Sequence, residues 1–427
     1  MPTGFLWLIA AQFVSGLADH ALLIVAVALL HEQGHPAWWA PLLKFSFTTA
    51  YVVLGPMVGA WSDAVPKPAL MTAMNAVKAL GALALTLGGH PLLALAWMGI
   101  GAALYAPAKY GWITESVAGQ RLVAANGWLE GSVVLAVLLG TALGGWLVSE
   151  PMRQLSHIAL TPVWPATAVP PSLAAALLLI LGLYSAAAIG HLHVPPRPPR
   201  HRLPWSQALR VWQSFGADNA RLWRDPYGGL SLGVTTFFWG FGAVMQFAVL
   251  RWAEERLHWP LSQAAYLQAA VALGVVVGAV LVARHITLRH ALRVLPVGAV
   301  LGLTLAAGVH ITQPVWAVAV LVLIGALGGV LVVPMNALLQ YRGHRLLSPG
   351  RSIAIQGFNE NASVLLALAL YSATQQAGLP LLPLMSGLGL TMGLGFGLLW
   401  AITRHWRGDR ATPAQRTSPR PGGPPVA

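Results

Sequence analysis

Apolar residues run through this chain in blocks of about twenty, the length that crosses a bilayer core, separated by short polar segments. That window predicts twelve helices, over residues 5–30, 40–62, 69–88, 91–109, 122–148, 172–193, 229–250, 262–283, 291–311, 314–340, 350–377 and 380–403. Helix is required because an isolated strand leaves its backbone groups unpaired in lipid. The alternating ten-residue segments of a membrane barrel are absent. The first block exceeds the roughly 7–15 residues of a signal-peptide core and has no basic residues ahead of it, so it is expected to stay as the first span.

Composition agrees with lipid as the solvent. The chain is 56% hydrophobic and 9% charged, against about 25% charged in soluble domains. It has no cysteine, which excludes disulfides and thiolate chemistry. The net charge of +13 does not point to nucleic acid, because no basic surface interleaved with aromatics exists on a soluble domain. Instead, Lys and Arg gather in the loops after spans 2, 4, 6, 8 and 10 and in the tail. Only Arg153, Arg251 and Arg256 fall on the other side, with Lys44 and Lys78 inside spans. This asymmetry predicts a multi-pass protein with both termini in the cytoplasm.

The chain divides into a six-helix bundle over 1–193, a basic cytoplasmic linker over 194–228, a second six-helix bundle over 229–404, and a disordered basic tail over 405–427. Part of the linker, around Trp205 to Trp223, reads equally as an amphipathic helix on the anionic leaflet or as a solvated tether. Gly127-Trp-Leu-Glu130 in span 5 recurs as Gly357-Phe-Asn-Glu360 in span 11. Pro107 in span 4 recurs as Pro334 in span 10. Such matches are what two repeated bundles leave behind.

Five ionisable residues fall inside spans: Asp19, Lys44, Lys78, Glu130 and Glu360. At about 2.5–3.5 kcal/mol each on insertion scales they cost on the order of 12–17 kcal/mol together. They are therefore expected to face a wet cavity or one another. Helical spacing groups Gln12, Ser15 and Asp19 in span 1, Lys44, Thr48, Tyr51 and Gly55 in span 2, and Asn75 and Lys78 in span 3. Asn126 and Glu130 share a face of span 5. Gln356, Asn359, Glu360 and Ser363 share one in span 11, and Trp239, Gly242 and Gln246 share one in span 7. Stripes of this kind line substrate pathways or tie helices together. Gly59, Asp63 and Lys67 form a candidate charge-pinned corner between spans 2 and 3.

Enzyme signatures are missing. No lysine precedes Ser or Thr, which removes a phosphate-binding P-loop, and no His-x4-Asp dyad occurs. His191 and His193 lie near a helix end and read as interfacial side chains, since no third metal ligand accompanies them. No metal and no cofactor is expected.

Residues 11–23, Ala-Gln-Phe-Val-Ser-Gly-Leu-Ala-Asp-His-Ala-Leu-Leu, resemble span 1 of the bacterial lysophospholipid transporters of the major facilitator superfamily. So do Ala103-Leu-Tyr-Ala-Pro-Ala-Lys-Tyr-Gly111 and Leu122-Val-Ala-Ala-Asn126-Gly127 with Glu130 downstream. In the second half, Val332-Val-Pro-Met-Asn336-Ala-Leu-Leu-Gln340 and Gln356-Gly-Phe-Asn-Glu-Asn361 are similar too. The resemblance implies an all-α major facilitator fold of twelve helices in two bundles. It also implies a flippase moving lysophosphatidylethanolamine and related lysolipids from the outer to the inner leaflet of the inner membrane. There an acyltransferase would restore the missing chain, and the transporter itself is expected to be a monomer. Asp19 matches the family's acidic headgroup position and Lys78 its basic position in span 3. The expected roles are Lys44 and Lys78 on the phosphate and Asp19 on the ethanolamine ammonium.

Three positions depart from the family pattern. Gln246 stands where an arginine is expected, Lys44 where a glutamine is usual, and His20 replaces an asparagine. The loop from Ser149 to Pro171 is also longer than expected. Two other readings remain open on sequence alone. One is a proton-coupled drug or metabolite antiporter of the same superfamily, and the other a non-transporting scaffold for an acyltransferase.

Overall fold

The computed structural model describes residues 4–117, 119–165, 169–196, 208–286, 288–347 and 349–404. Some helical side chains within that range, among them those of Gly59, Asp63, Asn126 and Glu130, lie outside the described residues, as do 197–207 and the tail from 405. The corner and span 5 expectations on those four side chains therefore fall outside the description.

The described chain is helical without strands. Its elements are α1 (Phe5–Glu32), α2 (Ala40–Ala64), α3 (Lys67–Thr86), α4 (Pro91–Ser116), α5 (Gly119–Leu147), α6 (Glu150–Leu160), α7 (Pro171–Leu192) and α8 (Ala208–Arg224). They continue as α9 (Pro226–Trp252), α10 (Leu261–His285), α11 (Leu295–Gly308), α12 (Pro314–Leu346), α13 (Pro349–Gln376) and α14 (Leu381–Thr403). Eleven of these, with α11 taken together with the 3₁₀ turn from His290, are long and apolar enough to cross a bilayer alone. The described part of α5 joins α6 through a 61° bend as a twelfth candidate. Proline opens α3, α4, α7, α9, α11 and α12 within their first two positions, where its missing N–H costs nothing.

Helices outrun the hydropathy window where polar residues continue them: α4 passes Lys109 to Ser116, and α12 passes Gln340 to Leu346. Span 9 is shorter than expected, because residues 288–294 form a 3₁₀ turn before α11 begins. The long loop after span 5 holds the additional helix α6. Its Leu155 and Ile158 are exposed on one side, while the Ser156 hydroxyl accepts from the Ala175 amide of α7. Arg153 pairs with Glu32 at the end of α1, and Ser172 donates to the same carboxylate. A short amphipathic helix pinned in this way replaces what hydropathy alone reads as loop.

α1 packs on α5 and α7, α3 on α4 and α7, and α2 on α4. The second half repeats most of this, with α9 on α13, α11 on α12 and α14, and α10 on α12, while α9 also packs on α12. The halves meet along α2 against α13 and α5 against α10. Helix association in lipid depends on close packing rather than on escape from water. The α10–α12 contact shows how far this goes. A Cβ on Gly274 or Gly278 would lie 2.1 or 2.0 Å from backbone oxygens of α12. One on Gly325 or Gly329 would lie 2.0 or 2.3 Å from those of α10. No rotamer change relieves a clash with backbone. Gly278→Leu is expected to separate the two helices and to lower stability by about 3 kcal/mol, the upper end of what overpacking a core typically costs. Thermal unfolding in detergent checks this, with Gly397→Leu, which meets nothing within 4 Å, as the unaffected control.

The face bearing both described ends, called here the terminal face, is organised by α8. The linker stretch read as helix or tether is helix from Ala208 to Arg224. α8 touches α2 as well as α9, α12 and α13. Asp218 pairs with Arg351, Asn219 accepts from Asn359, and Phe215 meets Phe358 edge to face at 5.2 Å. Just beyond it, Asp225 caps α9 by accepting from the Gly228 amide at 2.6 Å, and Arg342 of α12 grips its carboxylate with two nitrogens. Partial burial pushes the Asp225 carboxyl up, but the bonds from Arg342 and Gly228 outweigh it and hold the group below the ordinary carboxylate range. A depressed acid stabilises the fold above its ordinary pKa of about 4 and loses that contribution as pH falls through the lowered value. Asp225→Asn is therefore expected to cost stability at neutral pH and to flatten the acid limb of the stability profile. A melting series between about pH 3 and 7 tests both.

Candidate functional site

The polar stripes of α1 and α3 meet. Lys78 of α3 places its ammonium 2.9 and 2.7 Å from the two oxygens of Asp19 and 3.1 Å from the Ser15 hydroxyl. Ser15 in turn donates to Asn75 at 2.7 Å. Lysine has three donors and no acceptor, so every hydrogen of this ammonium is used. Lys78 is 1% exposed and Asp19 25%, so the pair shows only its carboxylate side outward. Lys78, which the resemblance assigns to the substrate phosphate, here faces Asp19. Burial and a complete set of acceptors make it the counter-ion of Asp19.

Three aromatic groups to which the sequence reading assigns no part here complete this centre. The Tyr184 hydroxyl of α7 donates to Asp19 at 2.7 Å. The Tyr184 and Tyr105 rings lie 5.4 and 5.5 Å from the Lys78 nitrogen, where ring quadrupoles attract a cation. His191 is fully buried, correcting its reading as interfacial. Its Nδ1 lies 2.7 Å from the Ala187 carbonyl and so donates to it, leaving Nε2 to accept from the Tyr105 hydroxyl at 3.1 Å. His193 does sit near the helix end, stacked on Trp7 at 4.4 Å. The only available signal was a tyrosine or histidine inside an otherwise apolar span, and without the fold that signal has no direction.

On the same wall the Gln12 amide of α1 donates to Ser132 of α5 at 2.7 Å, and Lys109 of α4 reaches its oxygen at 3.4 Å. Lys109 stands at the edge of the predicted span 4, which is why it was not counted among the intramembrane charges. Tyr51 of α2 is half-buried beside Phe47. Below this, Lys67 is buried, and its side chain crosses α4 where a Cβ on Gly111 would lie 2.5 Å from it.

A second contact joins the two halves. Lys44 of α2 donates to the Gln246 side-chain oxygen of α9 at 2.6 Å, and the Gln246 carbonyl accepts from Gln268 of α10 at 2.7 Å. The two positions expected to depart from the family pattern thus touch, a cation on α2 facing an amide on α9 across the interface.

The third cluster lies on α12 and α13. Gln356 donates to Glu360 at 2.8 Å and to Asn336 at 3.0 Å. Asn359 does not join them. It turns to α8, donating to Asn219 at 2.8 Å and accepting from Trp223 at 3.0 Å. Its neighbours in sequence share a stripe with it, but the docked helix takes its side chain. Among the described residues no group of three metal-binding side chains occurs.

Comparison with known proteins places this arrangement. The model of the Major Facilitator Superfamily matches residues 8–355. The lysophospholipid transporter LplT of Shigella flexneri is 35% identical over 398 residues, covering 93% of this chain and 95% of its own. That of Enterobacter sp. (strain 638) is 36% identical over 413 residues, covering 94% and 95%. Among solved structures, a POT family transporter bound to a thioalcohol-conjugated peptide superposes with a TM-score of 0.71 at 11% identity, covering 95% of this chain and 96% of its own. The nucleoside transporter NupG gives 0.65 at 10%, covering 96% and 100%. Those two likenesses speak for the fold. The sequence matches go further: this chain belongs to the Major Facilitator Superfamily and, within it, to the lysophospholipid transporter family.

Proposed function

We propose that this protein carries lysophospholipids, lysophosphatidylethanolamine among them, from the outer to the inner leaflet of the bacterial inner membrane as a monomeric flippase without enzymatic activity. The relatives' shared function supports the substrate class. The observation that carries the mechanism is the Asp19–Lys78 pair, with the lysine sealed and the carboxylate a quarter open. A substrate ammonium arriving at the open side of Asp19 meets a carboxylate already oriented by Tyr184 and shares it with Lys78, so that Lys78 keeps its counter-ion. Lys44, half-buried at the α2–α9 contact, is the cation for the phosphate. Transport then needs both halves, because the two groups that hold the headgroup belong to α1 and to the interface.

Orientation follows from charge: the terminal face is cytoplasmic. The linker over 194–228 joins the two bundles there, and an acyltransferase would act on delivered lysolipid at this face. Reconstitution tests the reading. Liposomes carrying labelled lysophosphatidylethanolamine in one leaflet should exchange it faster with protein than without, while sugars and nucleosides should not compete. Lysolipid exchange absent in protein that binds and moves a small cation against a proton gradient would instead favour the antiporter.

A further inference from the structure

The two bundles differ at the helix pair α1–α7 and its equivalent, α9–α14. In the first, α1 packs along α7, with Ala11 filling the space above Gly190. In the second, the equivalent α9 and α14 barely touch. A groove of about 470 Å³ separates their terminal-face halves, within the range of about 300–1,000 Å³ typical of ligand sites.

Its walls are Gly229, Gly233 and Phe237 of α9 and Thr391, Gly395 and Leu399 of α14, with further apolar neighbours. The Thr391 hydroxyl donates to the Gly387 carbonyl of its own helix, so it offers a ligand no free donor. Phe237 and Phe396 meet edge to face at 6.0 Å toward the middle of the membrane. At the other end the Trp223 ring of α8 lies 3.5 Å from the place a Gly233 Cβ would take. Arg221 and Arg224 are exposed on the same last turn of α8. Leu390, Leu394 and Leu398 of α14 are exposed beside the groove, as a bilayer-facing side requires.

We propose that this groove is a site for a resident diacyl phospholipid with an anionic headgroup, drawn from the leaflet at the terminal face, with one acyl chain lying between α9 and α14. The chain occupies an apolar slot that would otherwise be a void in a membrane protein's packing. The Trp223 indole sits at interfacial depth, where tryptophan concentrates. Arg221 and Arg224 supply the positive charge that anionic lipids seek next to a membrane surface. The occupant is a structural lipid bridging α8, α9 and α14, separate from the transported molecule at Asp19.

Native mass spectrometry of the full-length protein extracted from membranes tests this. The wild type should retain one phospholipid, predominantly anionic. Gly395→Leu fills the groove without a clash, since a Cβ there meets nothing within 4 Å. It should reduce retention at least tenfold, and Leu399→Trp should do the same from the next turn. Gly397→Leu, equally open but outside the lining, should retain the lipid. Arg221→Gln with Arg224→Gln should keep a lipid and lose the anionic preference. Equal retention in the Gly395 and Gly397 variants, or no retained lipid in the wild type, would overturn the site. Displacement of the bound lipid by added lysophosphatidylethanolamine would overturn the resident-lipid assignment and make the groove a substrate-tail site.

Discussion

Asp19→Asn is expected to abolish lysolipid exchange and destabilise the protein, whereas Asp19→Asn combined with Lys78→Met is expected to recover stability without recovering transport. The single substitution removes the carboxylate that accepts two of the three Lys78 hydrogen bonds and strands an ammonium that is 1% exposed. Removing one partner of a buried pair costs about 3–5 kcal/mol, because the other charge is left without compensation. Asp19 is partly wet, which places the effect toward the lower end. Replacing both partners by neutral groups of similar size removes the stranded charge, so melting returns toward the wild-type value. Transport does not return, because no carboxylate is left to meet the substrate ammonium. Melting temperatures in detergent and exchange in liposomes separate the two effects. Recovery of exchange in the double variant would sink the role assigned to Asp19.

Lys44→Gln has the second large effect. The Lys44–Gln246 bond is short, charge-assisted and crosses from α2 to α9. Hydrogen bonds to charged groups contribute about 1.5–3 kcal/mol, so its loss is expected to reduce exchange roughly tenfold to a hundredfold. The informative variant is the exchange of sides, Lys44→Gln with Gln246→Lys. It restores a cation facing an amide across the interface, in the arrangement expected of the family, and should recover most of the lost activity. If the exchanged protein stays as inactive as Lys44→Gln, the cation is needed on α2 itself, and the pairing across the halves is incidental.

Much of this protein was legible in its sequence, for a clear physical reason. A bilayer imposes one length and one secondary structure on every crossing segment, so twelve apolar blocks become twelve helices whatever their partners. The same solvent makes an intramembrane charge costly, which is why Asp19, Lys44 and Lys78 stood out before any fold was known. α8 was left open between helix and tether, because an amphipathic pattern next to a membrane forms a helix only if something accepts its apolar face. The contacts from Phe215 to Phe358 and from Trp223 to α9 are that acceptance. α6 was not anticipated, since eleven residues of mixed character fall below any hydropathy window.

What the tertiary structure alone decided is direction. Helical spacing puts Gln356, Asn359 and Glu360 on one stripe, yet the docking of α8 draws Asn359 away from the other two. Periodicity cannot tell a lysine facing water from one sealed against a carboxylate, and Lys78 belongs to the second kind because α1, α3 and α7 close around it. Tyr184, Tyr105 and His191 carry a sequence signal without direction: their polar tips matter here because distant helices bring Asp19 and Lys78 to them. The chain's own order sets which segments enter the membrane. Packing between segments far apart along it decides which polar atoms meet.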